Sequence, residues 1–204
     1  MSGMIRTGVL FLGVTLSTGL LAQAPKPAQA THGADVDVAI TYVAERAKIA
    51  SIDCGCFWLY GGSGDFALTF SHGIGVAANL TGVHASQIAP GIDLDKVMFA
   101  VGPRYTYNPG GWAKRRGAAV FGEALFGGVH GFNTIFPSSN GSVGAASSFA
   151  MMFGGGLDLQ VARHIRIRAV EADYVRSTLP NNASSVQNDL RLAGGVSFHF
   201  SGVH

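Results

Sequence analysis

The chain has 204 residues, enough for one domain with a sizeable core. Hydrophobic residues make up 48% of it and charged residues 13%, and its 29 glycines argue against a soluble helix bundle, because glycine weakens helices. The formal net charge of +2 is spread along the chain, which argues against a nucleic-acid partner.

The first predicted element is an export leader. Arg6 is the only charge before an apolar run over residues 9–21, and that run is too short to span a bilayer as a helix. Small residues supply cleavage sites after Ala24 and after Ala30, and Pro25 favours the second. We therefore predict a cleaved signal peptide over residues 1–30, with a retained N-terminal anchor as the alternative. No cysteine follows where lipid attachment would need one.

Eight strands are predicted in the mature chain. In most of them large apolar side chains alternate with small or polar ones, as in strands whose two faces meet different surroundings. The alternation is less regular in the fifth and the seventh, where a β-bulge would explain it. In chain order, the predicted strands cover residues 36–47, 65–71, 74–83, 96–107, 118–128, 149–160, 165–175 and 189–200.

The connections between these strands are predicted to alternate in length. Long ones fall at 48–64, 84–95, 129–148 and 176–188, and short ones at 72–73, 108–117 and 161–164. Bacterial barrels have short periplasmic turns and long extracellular loops. The pattern predicts an all-β fold, an eight-stranded antiparallel transmembrane up-and-down β-barrel over residues 31–204, with both termini in the periplasm. A lipocalin-like barrel fits less well, because it would turn the bulky apolar face inward.

Four segments resemble the small outer-membrane β-barrel family, the OmpA-like and opacity-type group in the form common among acidobacteria. The segments are residues 102–107 (GPRYTY), 122–128 (GEALFGG), 154–158 (GGGLD) and 168–174 (RAVEADY). The resemblance implies an eight-stranded barrel in the outer membrane of a Gram-negative cell, surrounded by its lipids. It also implies that the aromatic end of the last strand, Phe198 and Phe200, is the signal read by the barrel-insertion machinery.

Six of the charged residues in the predicted strands fall where hydrocarbon depth is expected. An Arg facing lipid near the bilayer midplane would cost about 2–4 kcal/mol, so we expect these side chains to face inward and to pair. The prediction is a salt-bridge network that plugs a narrow interior, with an ion-selecting constriction as the alternative. The six residues are Arg104, Glu123, Arg168, Glu171, Asp173 and Arg191.

Two further groups of residues suggest chemistry. Cys54 and Cys56 lie in the first predicted loop, where a loop-tightening disulfide is expected in oxidising surroundings, with redox activity as the alternative. Ser197 and His199 share the inward face of the last strand, and Glu171 or Asp173 could complete a Ser-His-acid arrangement. Interior polar filling is the simpler interpretation of those side chains, and no metal-ligand spacing is found.

Aromatic residues are predicted to form two belts at the membrane interfaces. The periplasmic belt comprises Tyr107, Trp112, Phe198 and Phe200, and the outer belt comprises Tyr42, Phe57, Trp58 and Tyr174.

The sequence thus predicts a non-enzymatic outer-membrane barrel without cofactor or metal. Its role is structural or surface-interacting, with loops displayed to an extracellular ligand. The alternatives are a narrow porin or ion channel, a lipid-modifying hydrolase, and a soluble exported barrel that binds a small apolar ligand.

Overall fold

The computed structural model describes residues 33–48, 55–109, 117–138, 141–181 and 185–203. The predicted leader, Cys54 and Trp112 lie outside these described residues. The barrel belongs to the compact unit His32–His204. Among the described residues, no helix has the length and apolar character needed to cross a membrane.

Eight antiparallel strands form a closed barrel. Each strand pairs with the next along the chain, and β8 pairs with β1, so the predicted eight-stranded up-and-down barrel is confirmed. A short 3₁₀ turn, Ser71–Gly73, joins the second and third strands. The strands are β1 (Ala34–Lys48), β2 (Cys56–Thr69), β3 (Ile74–Ala89), β4 (Ile92–Tyr107), β5 (Ala118–Ser138), β6 (Gly141–Gln160), β7 (Ile165–Ser177) and β8 (Gln187–Val203).

Three of the four segments predicted as long loops are wrong, because strands occupy much of each segment. The β3–β4 hairpin turns at residues 90–91. β5 extends to Ser138 and β6 begins at Gly141, while β2 starts nine residues before its predicted beginning. Backbone hydrogen bonds continue along a strand pair whether or not its side chains are apolar, because pairing uses only N–H and C=O groups. Loss of the apolar alternation therefore marks a change in the strands' surroundings and not their ends.

The two faces of the barrel wall carry opposite kinds of side chain. On the outside, large apolar residues are exposed around the whole barrel, with Ile40 at 67% and Leu80 at 55%. The inward side chains of the same strands are largely buried, and polar and charged residues lie among them beside apolar ones such as Val43 and Leu59. The faces predicted for β1, β2, β4 and β8 agree with this arrangement.

A β-bulge interrupts β7, as predicted. The pairing of β7 with β8 shifts register between Arg168 and Glu171. Ala169 and Val170 are consequently both exposed on the outside, while Arg168 and Glu171 are both buried inside. In β5 the register shift falls between Phe132 and Phe136, beyond the segment predicted for that strand.

One residue of the predicted outer aromatic belt, Phe57, points into the barrel instead. Phe57 belongs with the buried inner cluster that contains Val43 and Leu59, and does not lie in an outer belt. Its position alternates with that of Trp58, which is exposed and stacks on Tyr60 with ring centroids 6.4 Å apart. Strand parity explains the error, because neighbouring residues point to opposite faces.

Candidate functional site: the charged interior

The barrel encloses the six charged residues that were predicted to form an interior network. They come from β4, β5, β7 and β8, and each is at most 8% exposed. Their inward direction follows from strand parity, and in β7 from the bulge that turns Arg168 and Glu171 to the same side.

Arg168 lies at the centre of this group. Its Nε donates to Asp158 Oδ1 at 3.0 Å, and its Nη1 donates to Glu171 Oε2 at 2.7 Å. The same Nη1 lies 3.5 Å from Asp65 Oδ2 on β2. One guanidinium therefore joins carboxylates from three strands, using the several donors of its planar fork.

Arg191 extends the network across the interior. Its Nη1 donates to both Glu171 and Asp173 on the neighbouring strand. Its Nη2 donates to Ser63 Oγ on β2 at 2.7 Å. Glu171 accepts from Arg168 and from Arg191, so the two guanidinium groups share one carboxylate.

Two of the cations lie over one aromatic ring. The Arg104 and Arg168 guanidinium carbons lie 3.6 Å and 4.6 Å from the centroid of the buried Phe121 ring. Both can interact with the negative ring faces. Arg104 also lies 3.5 Å from Glu123 Oε2 and 4.0 Å from Asp158 Oδ2. Phe121 is thus in contact range of two cations of the network.

The sequence reasoning missed seven further buried charges. Asp37 pairs with Arg166 at 3.3 Å and with His199 Nδ1 at 2.9 Å, near the chain termini. Lys96 pairs with Glu45 and, at 2.9 Å, with Asp189 near the opposite end. Their inward strand parity was the signal that could have found them. The seven are Asp37, Glu45, Asp65, Lys96, Asp158, Arg166 and Asp189.

The Ser-His-acid arrangement does not assemble. His199 Nδ1 contacts Asp37, whereas Glu171 and Asp173 contact Arg191. Ser197 Oγ is buried and has no hydrogen-bond partner within the described residues. A nucleophile needs a base within hydrogen-bond reach, so this geometry offers no activated serine.

Three carboxylates come close enough to suggest a cation site. Oxygen atoms of Asp65, Glu123 and Glu171 all lie within 4.8 Å of one another. However, Arg168 already contacts Asp65 and Glu171, and its guanidinium supplies the positive charge at this point. The cluster is therefore best described as part of the ion-pair network.

The predicted loop disulfide cannot be placed. Cys54 lies outside the described residues, and Cys56 is exposed at the first residue of β2. The disulfide stays a prediction.

A glycine on β6 makes room for one of the network carboxylates, and its replacement by alanine is expected to destabilise the barrel. A Cβ at Gly154 would lie 2.1 Å from Asp173 Oδ1 and 2.3 Å from the Ala172 carbonyl oxygen. We expect Gly154→Ala to lower the free energy of unfolding by about 1–3 kcal/mol, the usual effect of overpacking, in urea titrations of the refolded protein.

Gly64→Ala on β2 is the matched control for this prediction. A Cβ there meets nothing within 4 Å, and we expect a change within about 0.5 kcal/mol. Equal effects of the two substitutions would contradict the steric explanation.

Comparisons with known proteins identify the fold. No protein-family model matches the chain, and no curated protein sequence matches it. The structure of Ail, the attachment invasion locus protein of Yersinia pestis, is similar with a TM-score of 0.56 at 18% identity, over 82% of this chain and 99% of Ail. Neisserial surface protein A is similar with a TM-score of 0.60 at 13% identity, over 82% of this chain and 99% of its own.

A second Ail structure, in complex with the heparin analogue sucrose octasulfate, has a TM-score of 0.52 at 20% identity, with coverage of 82% and 99%. At such identities the likeness concerns the fold. The chain has the eight-stranded antiparallel barrel fold of small outer-membrane proteins such as Ail and Neisserial surface protein A.

Proposed function

We propose that this protein spans the outer membrane as a closed barrel with a structural or surface-interaction role. The observation that carries the proposal is the distribution of its side chains, with large apolar residues exposed outside and paired charges buried inside. That distribution is the reverse of the one expected for a barrel in water.

The exterior suits a hydrocarbon environment. Leu80 on β3 pairs with Phe99 on β4, and both are more than half exposed. Ile40 on β1 and Tyr105 on β4 are also more than half exposed. Soluble monomers rarely expose contiguous apolar patches beyond a few hundred Å². Closure of the sheet also leaves no unpaired strand edge, which is the condition for a β structure to cross lipid.

The interior supports a barrel plugged by its own side chains rather than an open channel. Carboxylate oxygens of Asp65, Glu123 and Glu171, from three different strands, approach within 4.8 Å of each other. Arg168 on β7 contacts Asp65 on β2, and Arg191 on β8 donates to Ser63 on β2. Eight strands leave an interior just wide enough to be filled by side chains, and ion pairs across the middle occupy it.

The exposed ends of the hairpins supply the surface for interactions. Strand pairing in β3–β4 and β5–β6 continues through the polar segments at the end of the barrel opposite the chain termini. We assign this end to the cell exterior, with both termini in the periplasm. Ail, with the same fold, has been crystallised with a heparin analogue, which supports ligand contact by such barrels.

The last strand is expected to direct assembly. Phe198 and Phe200 face outward on β8, at 37% and 44% exposure, where the barrel-insertion machinery could reach them. β8 continues to Val203, so the aromatic pair lies shortly before the strand end.

Refolding into lipid followed by conductance measurement tests this function. We expect the mature protein to refold with heat-modifiable gel mobility and to give no steady current in a planar bilayer. The same preparation after boiling, and a protein-free bilayer, are the controls. Steady ion-selective current steps would overturn the plugged interior and favour a narrow channel. Failure of the protein to enter lipid would overturn the membrane location.

A further inference from the structure

A cavity lies inside one end of the barrel, separate from the Arg168 network. Its volume is about 300 Å³, and its wall combines strand ends with the segment after β7. Ala47 at the end of β1, Ile88 and Ile92 beside the β3–β4 turn, and Leu179 all line it. It therefore lies at the end of the barrel opposite the chain termini.

The cavity wall is largely apolar and held in place by two cores. Leu59 belongs to one buried cluster, while Phe136 and Leu179 belong to another, and all three are at most 7% exposed. Leu94 packs against both clusters and also lines the cavity. Because its wall residues are fixed by packing elsewhere, the cavity is preformed.

Charged residues border the cavity on its inner side. Lys96 and Asp189 line it, and Lys96 Nζ donates to Asp189 Oδ2 at 2.9 Å and also to Glu45. Lys96 is 5% exposed, and its positive charge is paired with the carboxylates of Glu45 and Asp189. A charged ligand would lose hydration on entry without finding an unpaired counter-ion on this inner side. The other lining cation, Lys48, is exposed at the last residue of β1, where water already solvates its charge.

We propose that this cavity binds a small, uncharged apolar molecule of about the size of two fused aromatic rings. An apolar cavity of about 150 Å³ can hold benzene, so about twice that volume suits a two-ring molecule. Phe57 and Phe136 in the wall can pack against its ring faces. Pockets in the mouths of β-barrels are common ligand sites, and 300 Å³ is at the lower end of their range.

Titration with naphthalene, followed by NMR of leucine methyl groups in the folded full barrel, tests the proposal. Naphthalene also dissolves in detergent, so the outward methyls of Leu80 and Leu190 report that background. We expect saturable shifts at Leu59, Leu94 and Leu179, with naphthalene-to-methyl NOEs, and only linear drifts at the outward methyls. Linear drifts at all five leucines, without NOEs to the inward three, would overturn the proposal.

The second measurement is the naphthalene affinity of a variant whose cavity is filled by a side chain. Ala47→Phe places a ring in the cavity, and we expect at least a tenfold loss of naphthalene affinity. Ala172→Phe, on the exposed face of β7, is the matched control and should bind as the wild type does. Unchanged binding by a folded Ala47→Phe variant would contradict the site, and the wild-type NOEs decide the matter if that variant does not fold.

The charge of the ligand is tested with 2-naphthoate. We expect it to bind at least tenfold more weakly than naphthalene, because Lys96 is already paired with Glu45 and Asp189, and the other lining cation, Lys48, is exposed to solvent. Equal or tighter binding would overturn the assignment to uncharged ligands. These measurements use detergent-folded protein, so they succeed or fail independently of where the barrel resides and whether it conducts ions.

Discussion

Arg168→Met is expected to lower the free energy of unfolding by about 3–5 kcal/mol, because it removes one partner of a buried ion-pair network. The substitution preserves much of the side-chain volume but leaves Asp158 without its closest counter-charge. Glu171 would keep Arg191, while Asp65 would lose the only cation within 4 Å of it among the described residues. Uncompensated carboxylates in the interior are the source of the destabilisation.

Equilibrium unfolding in urea, with the protein refolded in phospholipid vesicles, measures this effect. Arg176→Met on the same strand is the control, because Arg176 is exposed on the outside of β7. We expect that change to stay within about 0.5 kcal/mol. If Arg168→Met and Arg176→Met had equal effects, the interior pairs would not stabilise the barrel.

Leu80→Arg is expected to destabilise the vesicle-inserted barrel by about 2–4 kcal/mol, the range for a cation facing lipid at mid-membrane. Leu80 is 55% exposed in the middle of β3, where it pairs with Gly64 and Phe99. In water the same exposed position would tolerate Arg with little change. The substitution therefore distinguishes a membrane barrel from a soluble one.

Ile74→Arg is the matched control for the lipid-facing charge. Ile74 is the first residue of β3 and is 62% exposed, six residues and about 20 Å of strand away from Leu80. Near an interface the cost falls to about 0–1 kcal/mol, because the side chain reaches water. Equally small effects of both substitutions in lipid would contradict the membrane-spanning position of β3.

Much of the fold could be predicted from side-chain periodicity alone. The period of two placed Arg104 and Arg191 inside and Phe99 and Phe198 outside, because successive strand residues point to opposite faces. The ends of the strands could not be predicted this way. In β2 the outward positions around residues 61–64 include Gly62 and Gly64, so the apolar pattern stops while hydrogen bonding continues to Cys56.

The site was predictable as a set of residues but not as a set of partners. Cations and carboxylates on the inward face had to pair, since lone buried charges are unstable. Which of them meet depends on barrel closure and on a bulge. Arg191 reaches Ser63 although 128 positions separate them in the chain, and Arg168 meets Glu171 because β7 shifts register between them.

The sequence by itself therefore determined the strand class, the strand number and the inward or outward direction of most side chains, because these depend on local alternation. Only the tertiary structure decided the ion-pair partners, the inward position of Phe57 and the cavity that Lys96 helps to line. These depend on the register in which strands distant in sequence close the barrel, and that register is set by many weak contacts acting together.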